Sequence, residues 1–194
     1  MSIGGTAQYE NETDLPPPVT AAVRAARRAG FDQSCRPAQG RLLQALAGGA
    51  RRIGETGTGY GVGLAWMASG AGPGAELFSV DRTTAVQPLF ADDTRVRIRR
   101  DDWRVLGRDG PFDLLVLDGG GHGKGDEPPL DPADWLTPGG LVVIDDFTPM
   151  TGWPPRHDGR PDEARLYWLE HPRLRTAEIR IAPDAATLVG IYIG

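Results

Sequence analysis

Residues 51–63 read RRIGETGTGYGVG. A strand that ends at Glu55, glycines at 57, 59, 61 and 63, and a helical stretch from about Gly61 to Ser69 make a strand, a turn and a helix. Glycines at such a turn let a ligand approach the backbone, and the helix N-terminus offers N–H groups to anionic oxygens. Dinucleotide loops follow G-x-G-x-x-G. That register fails here, because its last position falls on Val62 counted from Gly57 and on Leu64 counted from Gly59. The run is instead E-x-G-x-G-x-G. An acid directly before the glycines suits a ligand with an ammonium group and repels a pyrophosphate.

Outward from this turn, short apolar runs alternate with helical stretches. Strands are expected at about Arg51–Glu55, Glu76–Val80, Arg95–Ile98, Phe112–Leu117 and Leu141–Ile144, with a helix at about Thr84–Ala91. The runs at 112–117 and 141–144 are apolar throughout or nearly so, as in strands buried on both faces of a parallel sheet. The alternation implies a layered α/β sheet with right-handed crossovers. Upstream, Val19–Gly30 reads as a helix stopped by its glycine, and Pro37–Ala47 as a second helix with Leu42, Leu43 and Leu46 on one face. Residues 162–171 look helical, and the β-rich runs RTAEIRIA and TLVGIYIG flank a turn at 183–186, which predicts a hairpin. Residues 1–18 lack apolar periodicity and are expected to form a mobile arm ahead of a single domain at 19–194. Arginines alternate with apolar residues at 95–99, which suits a charged edge strand better than a nucleic-acid surface, since Asp92, Asp93, Asp101 and Asp102 flank it.

Composition bounds the function. The 194 residues carry 21 Lys+Arg against 26 Asp+Glu, a net charge of −5, which argues against a phosphate-backbone binder. One cysteine excludes a disulfide framework and a cysteine-based zinc site. The N-terminus is polar and acidic, unlike a signal peptide, and no apolar run approaches membrane length, so a cytoplasmic protein with no membrane partner is expected. Twenty of the 21 basic residues are arginine, and the only lysine is Lys124.

Asp81 lies 20 residues beyond Gly61 at the end of the second strand, where an acid accepts hydrogen bonds from ribose hydroxyls or caps the next helix. With GETGTGYG, the acid of SVDR, the DDW of RRDDWRVL, the strand FDLLVLD and LTPGGLVVIDDF in order, the chain from about Cys35 onward resembles the class I S-adenosylmethionine-dependent methyltransferases. The resemblance implies a three-layer, Rossmann-like, seven-stranded, mostly parallel sheet with an antiparallel C-terminal strand. It implies that Glu55, Gly57, Gly59 and Gly61 line the methionine end of S-adenosylmethionine, with Ser34 and Cys35 at its border. Asp81 would hold the ribose, Asp102 and Trp103 the adenine edge, and Asp118 the cofactor side.

Asp118 ends the fourth strand, and Asp145 and Asp146 end the fifth. If those strands are neighbours, three carboxylates approach one small volume, which invites a hard cation such as Mg²⁺. The pattern looks like the catechol-O-methyltransferase-like family of small metal-dependent enzymes, in which acids at the positions of Asp118, Asp145 and Asp146 bind the metal. That family often has a lysine three residues after the first of these acids. Here Lys124 stands six residues on, with His122 between. Either could serve as a base, or neither, the loop then being inert. Trp153, in the Pro/Gly-rich connection 147–161, could stack on an acceptor or on its own prolines. The expected activity is transfer of a methyl group to an oxygen of a small-molecule acceptor, with Mg²⁺ chelating a hydroxyl. The alternatives are a metal-independent methyltransferase using His122 or Lys124, a cofactor-binding regulatory protein without turnover, and a nicotinamide dehydrogenase. A homodimer follows from the resemblance alone.

Overall fold

A computed structural model describes residues 4–83 and 87–194. Helices α1 (Pro17–Arg28) and α2 (Pro37–Ala47) precede the alternating core of β1 (Arg52–Thr56), α3 (Val62–Gly70), β2 (Glu76–Asp81), β3 (Val96–Arg100), β4 (Phe112–Leu117), α4 (Pro132–Trp135) and β5 (Leu136–Phe147). A two-stranded ribbon, β6 (Arg156–His157) and β7 (Arg160–Pro161), leads to α5 (Glu163–Glu170) and the closing hairpin β8 (Leu174–Ala182) and β9 (Ala185–Tyr192). Among the described residues seven strands form one sheet in the order β3-β2-β1-β4-β5-β9-β8, parallel from β3 to β5 and antiparallel at β9 and β8. This is the expected Rossmann-like sheet, and β4 and β5 are neighbours as anticipated.

The period of two along the central strands builds a core on each face. Ile53, Leu77, Leu114, Val116 and Val143 pack on the side of α1, α2 and α3. Phe78, Val80, Leu115, Leu117, Val142 and Ile144 pack on the other side, against Trp135 of α4 and Trp168 of α5. Each such leucine, fully buried, contributes about 2 kcal/mol of transfer free energy. β3 is one of the two edge strands, and its arginines meet acids: Arg97 pairs with Glu76, Arg99 with Asp109, and Arg95, just before the strand, with Asp93.

Four expectations differ from the structure. The segment read as a mobile arm is packed down from residue 4 onward. Thr6–Tyr9 forms a 3-10 turn, and Tyr9 is buried, with its hydroxyl donating to the Cys35 carbonyl (3.0 Å) and accepting from Trp66 Nε1 (2.9 Å). Residues 84–86 of the expected helix lie outside the described residues, and Gln87–Phe90 makes a 3-10 turn. The buried face of α2 is Pro37, Gln39, Gly40, Leu43 and Ala47, with Leu46 partly buried against the core and Leu42 outside it. β5 is longer than its apolar run, because Phe147 pairs with Ala186 of β9 and Leu136 with Phe112 of β4. No helix among the described residues is long and apolar enough to cross a membrane.

Candidate functional site

The carboxyl ends of β1, β4 and β5 face three adjoining cavities, the expected place for a ligand in an open α/β sheet. The first is lined by Ser34, Cys35, Gln39, Glu55, Gly57, Asp118 and Asp145, among others. The second is lined by Gly57, Asp81, Asp101, Trp103 and the glycine-rich segment from Gly119 to Gly123. Gly57 belongs to both, so they form one cleft bent over the end of β1. The third lies under the β6–β7 ribbon and is lined by Lys124, Asp146, Phe147, Arg160 and Arg165.

The turn after β1 takes its shape from its glycines: Gly57, Gly59 and Gly61 all have positive φ (90°, 50° and 74°), a region that disfavours side chains. A Cβ on Gly63, in the first turn of α3, would stand 2.8 Å from Glu55 Oε1, so a small residue there leaves room for the acid. Glu55 itself is buried, and the Ser79 hydroxyl donates to its Oε2. Burial pushes its carboxyl up to about 8, against the pull of the Ser79 hydrogen bond. Asp145 is also buried and is raised to about 6, first by desolvation and then by the neighbouring charge of Asp118. Asp118 is half-buried and raised chiefly by desolvation. The first cavity therefore gathers three acids that resist ionising together and that a cationic ligand would bring to their charged form. Burial keeps the Cys35 thiol protonated.

In the second cavity Asp81 does structural work as well as facing the cleft. Its Oδ2 accepts the Gly59 N–H (2.8 Å) and its Oδ1 the Thr83 N–H (2.8 Å). Trp103 lies along the wall, its Nε1 donating to Glu127 Oε2 (2.9 Å). Asp102, expected at the adenine edge, instead caps the 3-10 turn Trp103–Asp109 by accepting the Arg104 N–H, and pairs with Arg82 and Arg104. Its neighbour Asp101 lines the cavity in its place, beside Asp81, Asp126 and Glu127.

The expected carboxylate trio separates. Asp118 and Asp145 face the first cavity, whereas Asp146 is exposed, has φ +70°, and lines the third. Lys124 Nζ donates to the backbone carbonyls of Asp145 and Asp146 (3.0 Å to the latter) and lies 3.9 Å from the Phe147 ring centroid. Among the described residues no three His, Cys, Asp or Glu side chains stand where they could hold one metal ion. The described residues do not fit the Mg²⁺ site that the resemblance implies, and Lys124 stands as a cation at the end of β5 instead.

His122 and Lys124 take different characters from this loop. His122 Nδ1 accepts the Lys124 backbone N–H (3.0 Å), so the neutral ring carries its proton on Nε2. Burial, chiefly, lowers its pKa to about 4. It is a donor and a poor base. The Lys124 stem is exposed, but its nitrogen turns inward, and desolvation lowers its pKa against the opposing pull of Asp146, Asp145 and Asp118. Arg165, fully buried, braces the same region by pairing with Asp162 and Glu178 and by lying 4.6 Å from the Phe147 ring. Trp153 is 62% exposed and lines none of the three cavities.

Sequence reasoning missed Gln39, Thr187 and Asp101. The usable signal for Gln39 was its position four residues before Leu43, a polar residue on the apolar stripe of a helix.

No protein-family profile matches the chain, and no curated protein matches it. Solved structures do match over nearly the whole length. An O-methyltransferase from Bacillus cereus in complex with S-adenosylhomocysteine aligns with a TM-score of 0.72 at 15% identity, covering 97% of this chain and 96% of that one. The O-methyltransferase TomG from Streptomyces achromogenes, involved in tomaymycin synthesis and solved with S-adenosylmethionine, aligns at 0.72 and 18% identity, covering 98% and 96%. The methyltransferase PaMTH1 from Podospora anserina, bound to S-adenosylhomocysteine, aligns at 0.70 and 17% identity, covering 97% and 93%. The chain has the class I methyltransferase fold that these S-adenosylmethionine- and S-adenosylhomocysteine-bound proteins share.

Proposed function

We propose that this chain is an S-adenosylmethionine-dependent O-methyltransferase acting on a small-molecule acceptor. The observation that carries the reading is the bent cleft at Gly57. One arm is an anionic pocket suited to an ammonium and a sulfonium, and the other presents Asp81 and Trp103 to a nucleoside. A dinucleotide would put a pyrophosphate against Glu55 and Asp118, which disfavours the dehydrogenase alternative.

Methyl transfer is an in-line displacement at the sulfonium methyl. An acceptor hydroxyl gives up its proton, its oxygen attacks the methyl carbon, and the C–S bond electrons return to sulfur. Asp145 and Asp146 are consecutive residues that face the first and third cavities, so an acceptor in the third cavity lies at the sulfur end of the cleft. There Lys124, its pKa lowered by burial, takes the hydroxyl proton. His122 lines the second cavity, so its Nε2–H is left to donate to the cofactor side rather than to the acceptor. Phe147 and the ribbon residue Arg160 shape the acceptor cavity.

The test is calorimetric binding of S-adenosylmethionine, S-adenosylhomocysteine and NADH, followed by label transfer from S-adenosylmethionine to a panel of hydroxylated small molecules. Binding of the first two but not NADH, with label recovered as an alkali-stable ether, is the expected result. Cofactor binding without transfer to any acceptor favours the non-catalytic alternative, and NADH binding overturns the reading.

A further inference from the structure

We propose that the side-chain oxygen of Gln39 binds the α-ammonium of the cofactor, as the neutral acceptor in a pocket whose other acceptors are the carboxylates of Glu55, Asp118 and Asp145. The assignment rests on the S-adenosylmethionine reading above and adds a recognition residue to it.

Gln39 lies on the buried face of α2 and is 2% exposed. Its Nε2 reaches Thr187 Oγ1 at 3.4 Å, and the Thr187 hydroxyl gives its one hydrogen to the Ile144 carbonyl at 2.9 Å. Thr187 can therefore only accept from Gln39, which fixes the amide with nitrogen toward β9 and oxygen away from it. That oxygen is buried and has no hydrogen-bond partner among the described residues. A buried acceptor left unmatched is costly, so one that persists points to a partner absent from the protein itself.

The surroundings say what kind of partner. Gln39 lines the same cavity as Glu55, Asp118 and Asp145. Every one of these groups accepts when ionised, so the occupant must bring several hydrogens and positive charge. An ammonium supplies three N–H donors and one charge, whereas a hydroxyl supplies one donor and none. An amide suits this position better than a fourth carboxylate, because it adds an acceptor without adding to the mutual repulsion of the acids.

The experiment compares S-adenosylhomocysteine with its 2-deamino analogue, in which hydrogen replaces the amino group. Both are titrated calorimetrically into the wild-type protein, Gln39→Leu and Gln39→Met. The wild type should prefer the amino ligand. Each substitution should weaken S-adenosylhomocysteine about tenfold or more, as loss of a hydrogen bond to a charged group does, and the deamino analogue less than about twofold. Both variants lack the acceptor, so a folding defect in one leaves the other to decide. Equal losses for the two ligands would assign Gln39 a structural role only and overturn the proposal, as would no loss for either. S-adenosylhomocysteine failing to bind the wild type overturns the cofactor reading and this assignment together, whereas binding with no ligand-dependent difference overturns this assignment alone.

Discussion

Gly57 and Gly119 touch backbone to backbone where β1 and β4 end. A Cβ built on Gly57 would lie 2.6 Å from the Gly119 nitrogen, and one on Gly119 would lie 2.5 Å from the Gly57 α-carbon. The Thr56 carbonyl accepts from both Asp118 N–H and Gly119 N–H, at 3.0 and 2.7 Å, which holds the two strand ends together. The cleft bends at this contact. Gly57 also has φ +90°, so alanine there meets a clash and an unfavourable backbone region together. We expect Gly57→Ala to lower the unfolding free energy by about 3 kcal/mol, and Gly119→Ala by about 1–3 kcal/mol, in urea titrations. Unchanged stability in both would show that the strand ends can part at no cost.

Asp81 ties the glycine turn to the end of β2 with its two oxygens, one on the Gly59 N–H and one on the Thr83 N–H. Asp81→Asn keeps the shape but loses charge and one acceptor. If Asp81 also accepts from a ribose, the variant should bind S-adenosylhomocysteine and methylthioadenosine equally poorly, each by about tenfold or more. Both ligands carry the ribose, and only one carries the amino acid. A loss confined to S-adenosylhomocysteine would place Asp81 at the methionine end instead.

The sheet was legible because its central strands announce themselves. Phe112–Leu117 is apolar at five of its six positions, and its bounds were read without error. β5 was under-read because Pro138, Gly139 and Gly140 before its apolar run, and Asp145 and Asp146 after it, do not look like a strand, although cross-strand pairing carries them into one. The same strand explains the separated carboxylates. The adjacency of the two strand ends follows from topology and could be read, but the pairing of β5 with β9 breaks register between Ile144 and Phe147, and Asp146 takes φ +70° there. That irregularity, which no periodicity announces, leaves Asp146 lining the third cavity while Asp145 lines the first. The docking of Tyr9 was invisible because it depends on Cys35 and Trp66, 26 and 57 residues away, and leaves no periodic trace in the first 18 residues.

The titration of Glu55 and His122 gives the unliganded protein a pH dependence of definite sign. Glu55 stands at about 8 against an ordinary 4.5, and His122 at about 4 against 6.5. Between pH 4.5 and 6.5 the folded protein keeps a proton on Glu55 that the unfolded chain has released, while the unfolded chain holds one on His122 that the folded protein lacks. The two cancel there, and Asp145, raised to about 6, tips the balance toward the Glu55 sign at the acid end. From pH 6.5 to 8 the proton on Glu55 contributes a fall of about 1.4 kcal/mol per pH unit as pH rises, which the raised Asp118 reinforces and the lowered Lys124 opposes. A cationic ligand favours ionised Glu55, so S-adenosylmethionine binding at pH 7 should release close to one proton. Calorimetry in two buffers of different ionisation enthalpy reads that proton directly. Glu55→Gln should remove the Glu55 contribution to the slope together with the proton release, and a slope and proton release unchanged in this variant would assign them to another group.

Lys124 and a divalent ion make opposite demands on the same strand ends. The lysine nitrogen sits on the carbonyls of Asp145 and Asp146, while the side chains of those residues face different cavities. Methyl transfer should therefore keep its rate within about twofold in excess chelator, and Mn²⁺ titration should show no saturable binding lost in Asp145→Ala. A general base contributes about 10²–10⁴ in rate, so Lys124→Met should lower kcat by that order while leaving S-adenosylhomocysteine affinity unchanged. Lys124→Arg is the discriminating variant, because a guanidinium keeps the charge but does not give up its proton. If the lysine only supplies positive charge, arginine should restore much of the rate. If it takes the acceptor's proton, arginine should be as slow as methionine, and the alkaline rise of kcat expected of the wild type should be absent from both. A rate that collapses in chelator and returns with Mg²⁺ would overturn the lysine mechanism and restore a metal chelated at the ends of β4 and β5.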